Sequence, residues 1–227
     1  MNKLWLVIIC IGIIVFMSFL SSRDTKKKVL FFGDSITQAA VQPHGYISVM
    51  KEMLEQQHIT NYDLIGAGIG GNKVYDLYLR MDSDVIAKSP NIVVIYIGVN
   101  DVWHKKTFGT GTDADKFEKF YRAIITKLEA NNAKVILCTP AVIGEKNDFS
   151  NELDGDLNKY CNIIRKMASE LQLPLVDLRK AFVEYEVKNN TNNADKGILT
   201  SDGVHLNDKG NELVAELMWN AIKGIQQ

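Results

Sequence analysis

Five short, mostly apolar runs mark the chain, at residues 29–32, 62–65, 92–97, 135–137 and 175–176, each rich in β-branched residues. Runs of that length and composition predict short strands buried on both faces. Between them, apolar residues recur at helical spacing. One set is Tyr46, Ile47, Val49, Met50, Met53 and Leu54; a second is Val74, Leu77, Tyr78 and Met81. Phe117, Phe120, Tyr121, Ile124, Ile125 and Leu128 form a third, and Ile163, Ile164, Met167 and Leu171 a fourth. A final helix is expected over about residues 208–225. Strands that alternate with helices pair in parallel through right-handed crossovers. The pattern therefore predicts an α/β fold, a three-layer α/β/α sandwich of flavodoxin-like type with about five parallel strands. Less regular stretches fall at 105–115, 144–156 and 188–196. The first two are expected as substrate-side loops, the last as a polar, Asn-rich surface turn.

The N-terminus has a different character. Residues 4–20 are almost uninterruptedly apolar, with Lys3 before them and Ser21, Ser22 and a charged stretch after them. The reading is an export signal or a membrane anchor over 1–22, a short charged linker over 23–27, and a catalytic domain over 28–227. Arg23, Lys26, Lys27 and Lys28 outnumber Lys3, which would favour a cytoplasmic domain if the segment stayed in a membrane. Counting Lys26 to Lys28 with the first strand instead favours export, to a periplasmic, secreted or membrane-anchored location.

Composition narrows the classes further. The 227 residues are 46% hydrophobic and 23% charged, enough for one sizeable core, and the net charge of -1 shows no basic excess for a nucleic-acid partner. The three cysteines make no disulfide framework or metal-ligand spacing: Cys10 lies in the apolar segment, Cys138 on an expected strand and Cys161 on an expected helix. No HExxH or carboxylate cluster suggests a metal.

The candidate chemistry begins where the first strand ends, in Gly33-Asp34-Ser35-Ile36-Thr37-Gln38. Open α/β sheets bind ligands just outside the carboxyl ends of their strands, so a serine there is a candidate nucleophile. Gly, Asp and Ser are also the ordinary residues of a capped strand-to-helix turn, and the triplet alone does not separate the two readings. Three further polar blocks follow in order: Gly68-Ile69-Gly70-Gly71-Asn72, Ile97-Gly98-Val99-Asn100-Asp101, and Ser201-Asp202-Gly203-Val204-His205-Leu206. Taken singly, each has a plain structural reading as a turn or a cap.

Together, in this order, the blocks resemble the SGNH or GDSL hydrolase superfamily of esterases and lipases, from about Lys28 to the C-terminus. By that resemblance Ser35 is the nucleophile, Asp202 and His205 are the acid and base, and Gly71 and Asn100 complete an oxyanion hole with the Ser35 N–H. Gly33 and Asp34 are supporting residues. One departure stands out: Gly66 occupies a position where the family often has Asn, which loosens the hydrogen bonding expected around Gly68. The resemblance implies cleavage of carboxylic esters, without a cofactor or metal, on a small-molecule or glycan substrate. It covers lysophospholipases, thioesterases and carbohydrate O-acetylesterases, and the segment from Asp202 to Asn211 looks most like exported bacterial members.

The residue types suit that chemistry. A serine hydroxyl needs a base within hydrogen-bond reach, which a neutral His205 supplies, and a turn lets Asp202 reach back to the same imidazole. Two other functions share these residues: an O-acyltransferase using the same acyl-serine, and a membrane-tethered glycan-binding module without activity. His44, His58 and His104 lack a triad-like partner nearby and read as surface or loop residues. His104 and Trp103 are also candidates for lining the acyl or alcohol pocket.

Overall fold

In a computed structural model, described over residues 26–148 and 150–225, the strands form one parallel sheet of order β2-β1-β3-β4-β5. They are β1 Lys27–Gly33, β2 Tyr62–Gly68, β3 Ile92–Tyr96, β4 Lys134–Cys138 and β5 Leu175–Val176. Each lies where an apolar run predicts it, within three residues at either end. The helices are α1 Ser35–Ala39, α2 Tyr46–Gln56, α3 Val74–Asp84, α4 Val99–Thr107, α5 Ala114–Ala130, α6 Asp154–Glu170, α7 Leu178–Asn189 and α8 Asp208–Gly224. The expected sandwich is therefore present. The signal or anchor reading of residues 1–22 falls outside the described residues. No helix among the described residues is long and apolar enough to cross a membrane.

Period-two alternation along the strands builds two cores. Val29 and Phe31 of β1 face Tyr46, Met50 and Trp219 on one side, whereas Leu30 and Phe32 face Leu77, Phe117 and Ile164 on the other. Each such side chain, removed from water, contributes about 1.5–3 kcal/mol. Strand register then fixes where the chemistry sits. Gly33 pairs with Gly68 on one side and with Tyr96 on the other, so β1, β2 and β3 end level and their following turns share one rim.

Three helices escape the sequence pattern. α1 has five residues, too few to show a period. In α4, Val99, Asn100, Asp101 and Val102 are buried, so the inward face mixes apolar and polar residues, and the irregular 105–115 stretch is helical through Thr107. In α7, Arg179 and Glu186 are buried beside Leu178 and Phe182 and interrupt the apolar stripe in the same way. The 188–196 segment is also more than a surface turn. Asn190 is only 2% exposed, and its amide bridges the Glu145 and Ala194 carbonyls.

Candidate active site

The β1 to α1 turn is shaped by close approach. A Cβ on Gly33 would collide with Thr37 Oγ1 and the Tyr96 carbonyl, so only glycine lets the strand end pack against both. Asp34 caps α1 by accepting the Ile36 N–H at 3.0 Å, and its carbonyl accepts the Gln38 N–H at 2.9 Å. Ser35 is thereby held as the first residue of α1. Arg80, which sequence reasoning passed over, ties this edge together. Its guanidinium donates to the Gly33 carbonyl at 2.8 Å, the Ala67 carbonyl at 3.0 Å and Asn72 Oδ1 at 2.7 Å, and stacks over Phe32. The one local sign of it was the i,i+4 pair with Asp84.

On the opposite side, the segment before α8 bends around Asp202. Asp202 Oδ1 accepts the Val204 and His205 N–H groups at 3.0 and 2.8 Å, which leaves Oδ2 for the ring, 2.7 Å from His205 Nδ1. Burial acts to raise the Asp202 pKa, but the hydrogen bonds from His205 and Val204 outweigh it and hold the group below the usual carboxylate range. The other ring nitrogen, Nε2, lies 2.9 Å from Ser35 Oγ, across a separation of 170 residues. Ser35, His205 and Asp202 thus form a continuous hydrogen-bonded chain. With Nδ1 protonated toward Asp202, Nε2 is free to accept the serine proton.

The turn after β2 supplies the third side. Gly71 has φ +74°, a conformation that favours glycine, and its carbonyl accepts Lys73 Nζ at 3.0 Å. Asn100, buried at the start of α4, donates one of its two amide hydrogens to the Asn72 carbonyl at 3.2 Å and keeps the other. Around Gly68, where Gly66 takes the place of the family's Asn, Gln38 Oε1 accepts the Gly70 N–H at 2.8 Å. A side chain from α1 therefore restrains the loop that the sequence left loosely held.

Buried acids flank the site. Asp34 is pushed up to about 7, mainly by burial, against the Ile36 N–H, with the Asp101 charge adding to the rise and His205 opposing it. Asp101, next to Asn100, is likewise pushed up to about 7, mainly by burial, while accepting the Val74 N–H with both oxygens. Asp34 is buried in the turn, where its side chain accepts the Ile36 N–H at the start of α1.

His104 borders the Gly71 turn: its Cε1 lies 3.7 Å from where a Cβ on Gly71 would stand. Trp103 instead packs against the core on the α2 and α8 side, with its ring 5.7 Å from that of His104. His44 and His58 occupy left-handed turn positions, at φ 65° and 55°. The two expected substrate-side loops meet through a Lys106–Glu152 ion pair, beside a cavity of about 350 Å³ lined by Val102, Leu153 and Tyr160. Among the described residues, no three His, Cys, Asp or Glu side chains gather as a metal site.

The chain is similar to known esterases over most of its length. The crystal structure of an acetyl xylan esterase, AlAXEase, superposes with a TM-score of 0.85 at 63% identity, covering 86% of this chain and 99% of that one. Acetylxylan esterase of Geobacillus stearothermophilus is 29% identical over 175 residues, 70% of this chain and 78% of its own. The lipoprotein YqeF of Bacillus subtilis (strain 168) is 27% identical over 209 residues, 83% of this chain and 86% of its own. The model of the GDSL-like lipase/acylhydrolase family matches residues 31–213. The chain belongs to that family and is a carboxylic ester hydrolase.

Proposed function

We propose that this esterase removes acetyl groups from xylan or xylo-oligosaccharides through an acetyl-serine intermediate on Ser35. The observation that carries the mechanism is the hydrogen-bonded chain from Ser35 Oγ through His205 to Asp202, at 2.9 and 2.7 Å. His205 Nε2 takes the hydroxyl proton as Oγ attacks the acetyl carbonyl, and Asp202 stabilises the imidazolium that results. The backbone N–H groups of Ser35 and Gly71 and the remaining N–H of Asn100 receive the oxyanion. The imidazolium returns its proton to the departing sugar hydroxyl. Water then attacks the acetyl-serine by the same route in reverse and frees acetate.

The acetyl and xylan parts of the reading are supported by the 63% identical acetyl xylan esterase. The comparisons lend nothing to the acyltransferase or the inactive glycan-binding alternative. For location, the apolar segment at 4–20 and the likeness to a lipoprotein support a site of action outside the cytoplasm. N-terminal sequencing of the mature protein separates a cleaved signal from a retained anchor.

The test of activity is acetate release from acetylated xylo-oligosaccharides, beside a series of p-nitrophenyl esters of rising acyl length. Release from the oligosaccharides, with a rate across the series that falls beyond acetyl, is expected, and Ser35→Ala should form no acyl-enzyme. Preference for long acyl chains would refute the acetyl reading. Turnover unchanged in Ser35→Ala would refute the mechanism.

A further inference from the structure

The segment that carries Asp202 and His205 has no strand or helix of its own between α7 and α8, only an isolated bridge from Thr200 to Leu206. Its geometry is nonetheless well defined, because one carboxylate grips its start. Glu145, fully buried beyond the end of β4, accepts three consecutive backbone N–H groups: Ile198 at 2.8 Å on Oε2, then Leu199 at 2.6 Å and Thr200 at 2.8 Å on Oε1. Three donors on one anion form a strong, directional anchor, since charge-assisted hydrogen bonds are about twice as strong as neutral ones.

The anchor is itself anchored. The Glu145 carbonyl accepts Asn190 Nδ2 at 2.6 Å, and its N–H donates to the Asp195 carbonyl at 3.0 Å. Asn190 also closes a ring with Ala194, donating to its carbonyl and accepting its N–H, both at 2.8 Å. From Thr200 the restraint passes directly to the site. Thr200 Oγ1 accepts the Gly203 N–H at 3.0 Å, the Gly203 carbonyl accepts the Gly144 N–H at 2.8 Å, and the Leu199 carbonyl accepts the Asn207 N–H at 3.0 Å. The segment is therefore held on both sides of Asp202 and His205, with Glu145 at the centre.

We propose that Glu145 is a positioning residue of the hydrolysis, setting the 198–206 segment at the height where His205 Nε2 meets Ser35 Oγ. The inference rests on the reading of Ser35, His205 and Asp202 as the reacting chain. Its mode of action is geometric, so its loss misplaces the base without touching the substrate, and a displacement of about 1 Å costs on the order of 10²-fold.

The test is Glu145→Gln, which keeps the shape but turns one acceptor oxygen into an NH₂ facing a backbone N–H. With p-nitrophenyl acetate, kcat per folded molecule should fall on the order of 10²-fold while KM changes less than about threefold. In a His205→Ala background the same substitution should alter the residual rate by less than about threefold, because there is no base left to position. An undiminished kcat, or equal losses in both backgrounds, would overturn the proposal. Should Glu145→Gln fail to fold by circular dichroism, Asn190→Ser loosens the clasp from behind. Its kcat should drop about tenfold at unchanged KM, and native kcat in the folded variant would equally overturn the proposal. Ser35→Ala, run in parallel, keeps the two readings apart: native turnover there would count against the reacting chain, not against Glu145.

Discussion

Ser35 and His205 meet at 2.9 Å but are held by opposite means. The Ser35 side is an edge of regular structure: a strand end in register with two neighbours, a glycine that admits close packing, and a capped helix. Backbone sterics and ladder hydrogen bonds position it. The His205 side is irregular chain gripped by side chains, above all Glu145 and Asp202. One half of the site inherits its precision from the sheet; the other needs a dedicated set of polar contacts. The first should respond mainly to changes in packing, the second to changes in hydrogen bonding.

The sharpest test of the comparison removes the proposed base. His205→Ala should lower kcat on the order of 10⁴-fold or more with a native melting curve, measured as acetate release and by thermal unfolding. A large fall in stability would mean that the 198–206 segment depends on its ring, contrary to the account above. Asn100→Ala should cost about 10²- to 10³-fold in kcat, because on the proposed mechanism one oxyanion donor is lost while its neighbours remain. Steady-state kinetics on the same ester reads this directly, and a loss confined to KM would remove Asn100 from the oxyanion hole.

On the sheet side, Gly33→Ala should act through folding. The added methyl meets Thr37 and the Tyr96 carbonyl, and overpacking of this kind costs about 1–3 kcal/mol, read from denaturant unfolding. A neutral result would show that the strand end has slack.

A further effect concerns the two buried acids and is read as a slope with pH. Burial raises Asp101 from the ordinary 3.8 to about 7, so the folded chain binds a proton there that the unfolded chain releases. The stability this proton contributes is full below 3.8 and is lost as the pH climbs through about 7, and Asp34 acts in the same direction. The melting temperature should fall between about pH 4 and pH 7 from this source. Asp101→Asn, which still accepts from Val74, should flatten that slope; an unchanged slope would remove Asp101 as its origin.

Much of this was legible in the chain. The five apolar runs and the helical periods place every strand and the long helices, because burial on one or both faces repeats within a few residues of sequence. The four polar blocks, read as one family pattern, point to Ser35, Gly71, Asn100, Asp202 and His205, of which the structure joins Ser35, His205 and Asp202 by hydrogen bonds. What escaped, besides the short α1, has two causes. α4 and α7 carry buried polar residues such as Asp101 and Glu186, which break the apolar stripe. Arg80, Gln38 and Glu145 act on partners that local spacing does not reveal.

The sequence by itself thus determined the sheet and the strand ends, and it nominated the residues proposed for the reaction, since periodicity, turn chemistry and motif order are local properties. Only the tertiary structure decided that Ser35 and His205 meet, and that Glu145 holds the segment between them in place. Those contacts span 170 and 55 residues, and their geometry comes from packing a loop against a sheet, which no periodic pattern along the chain records.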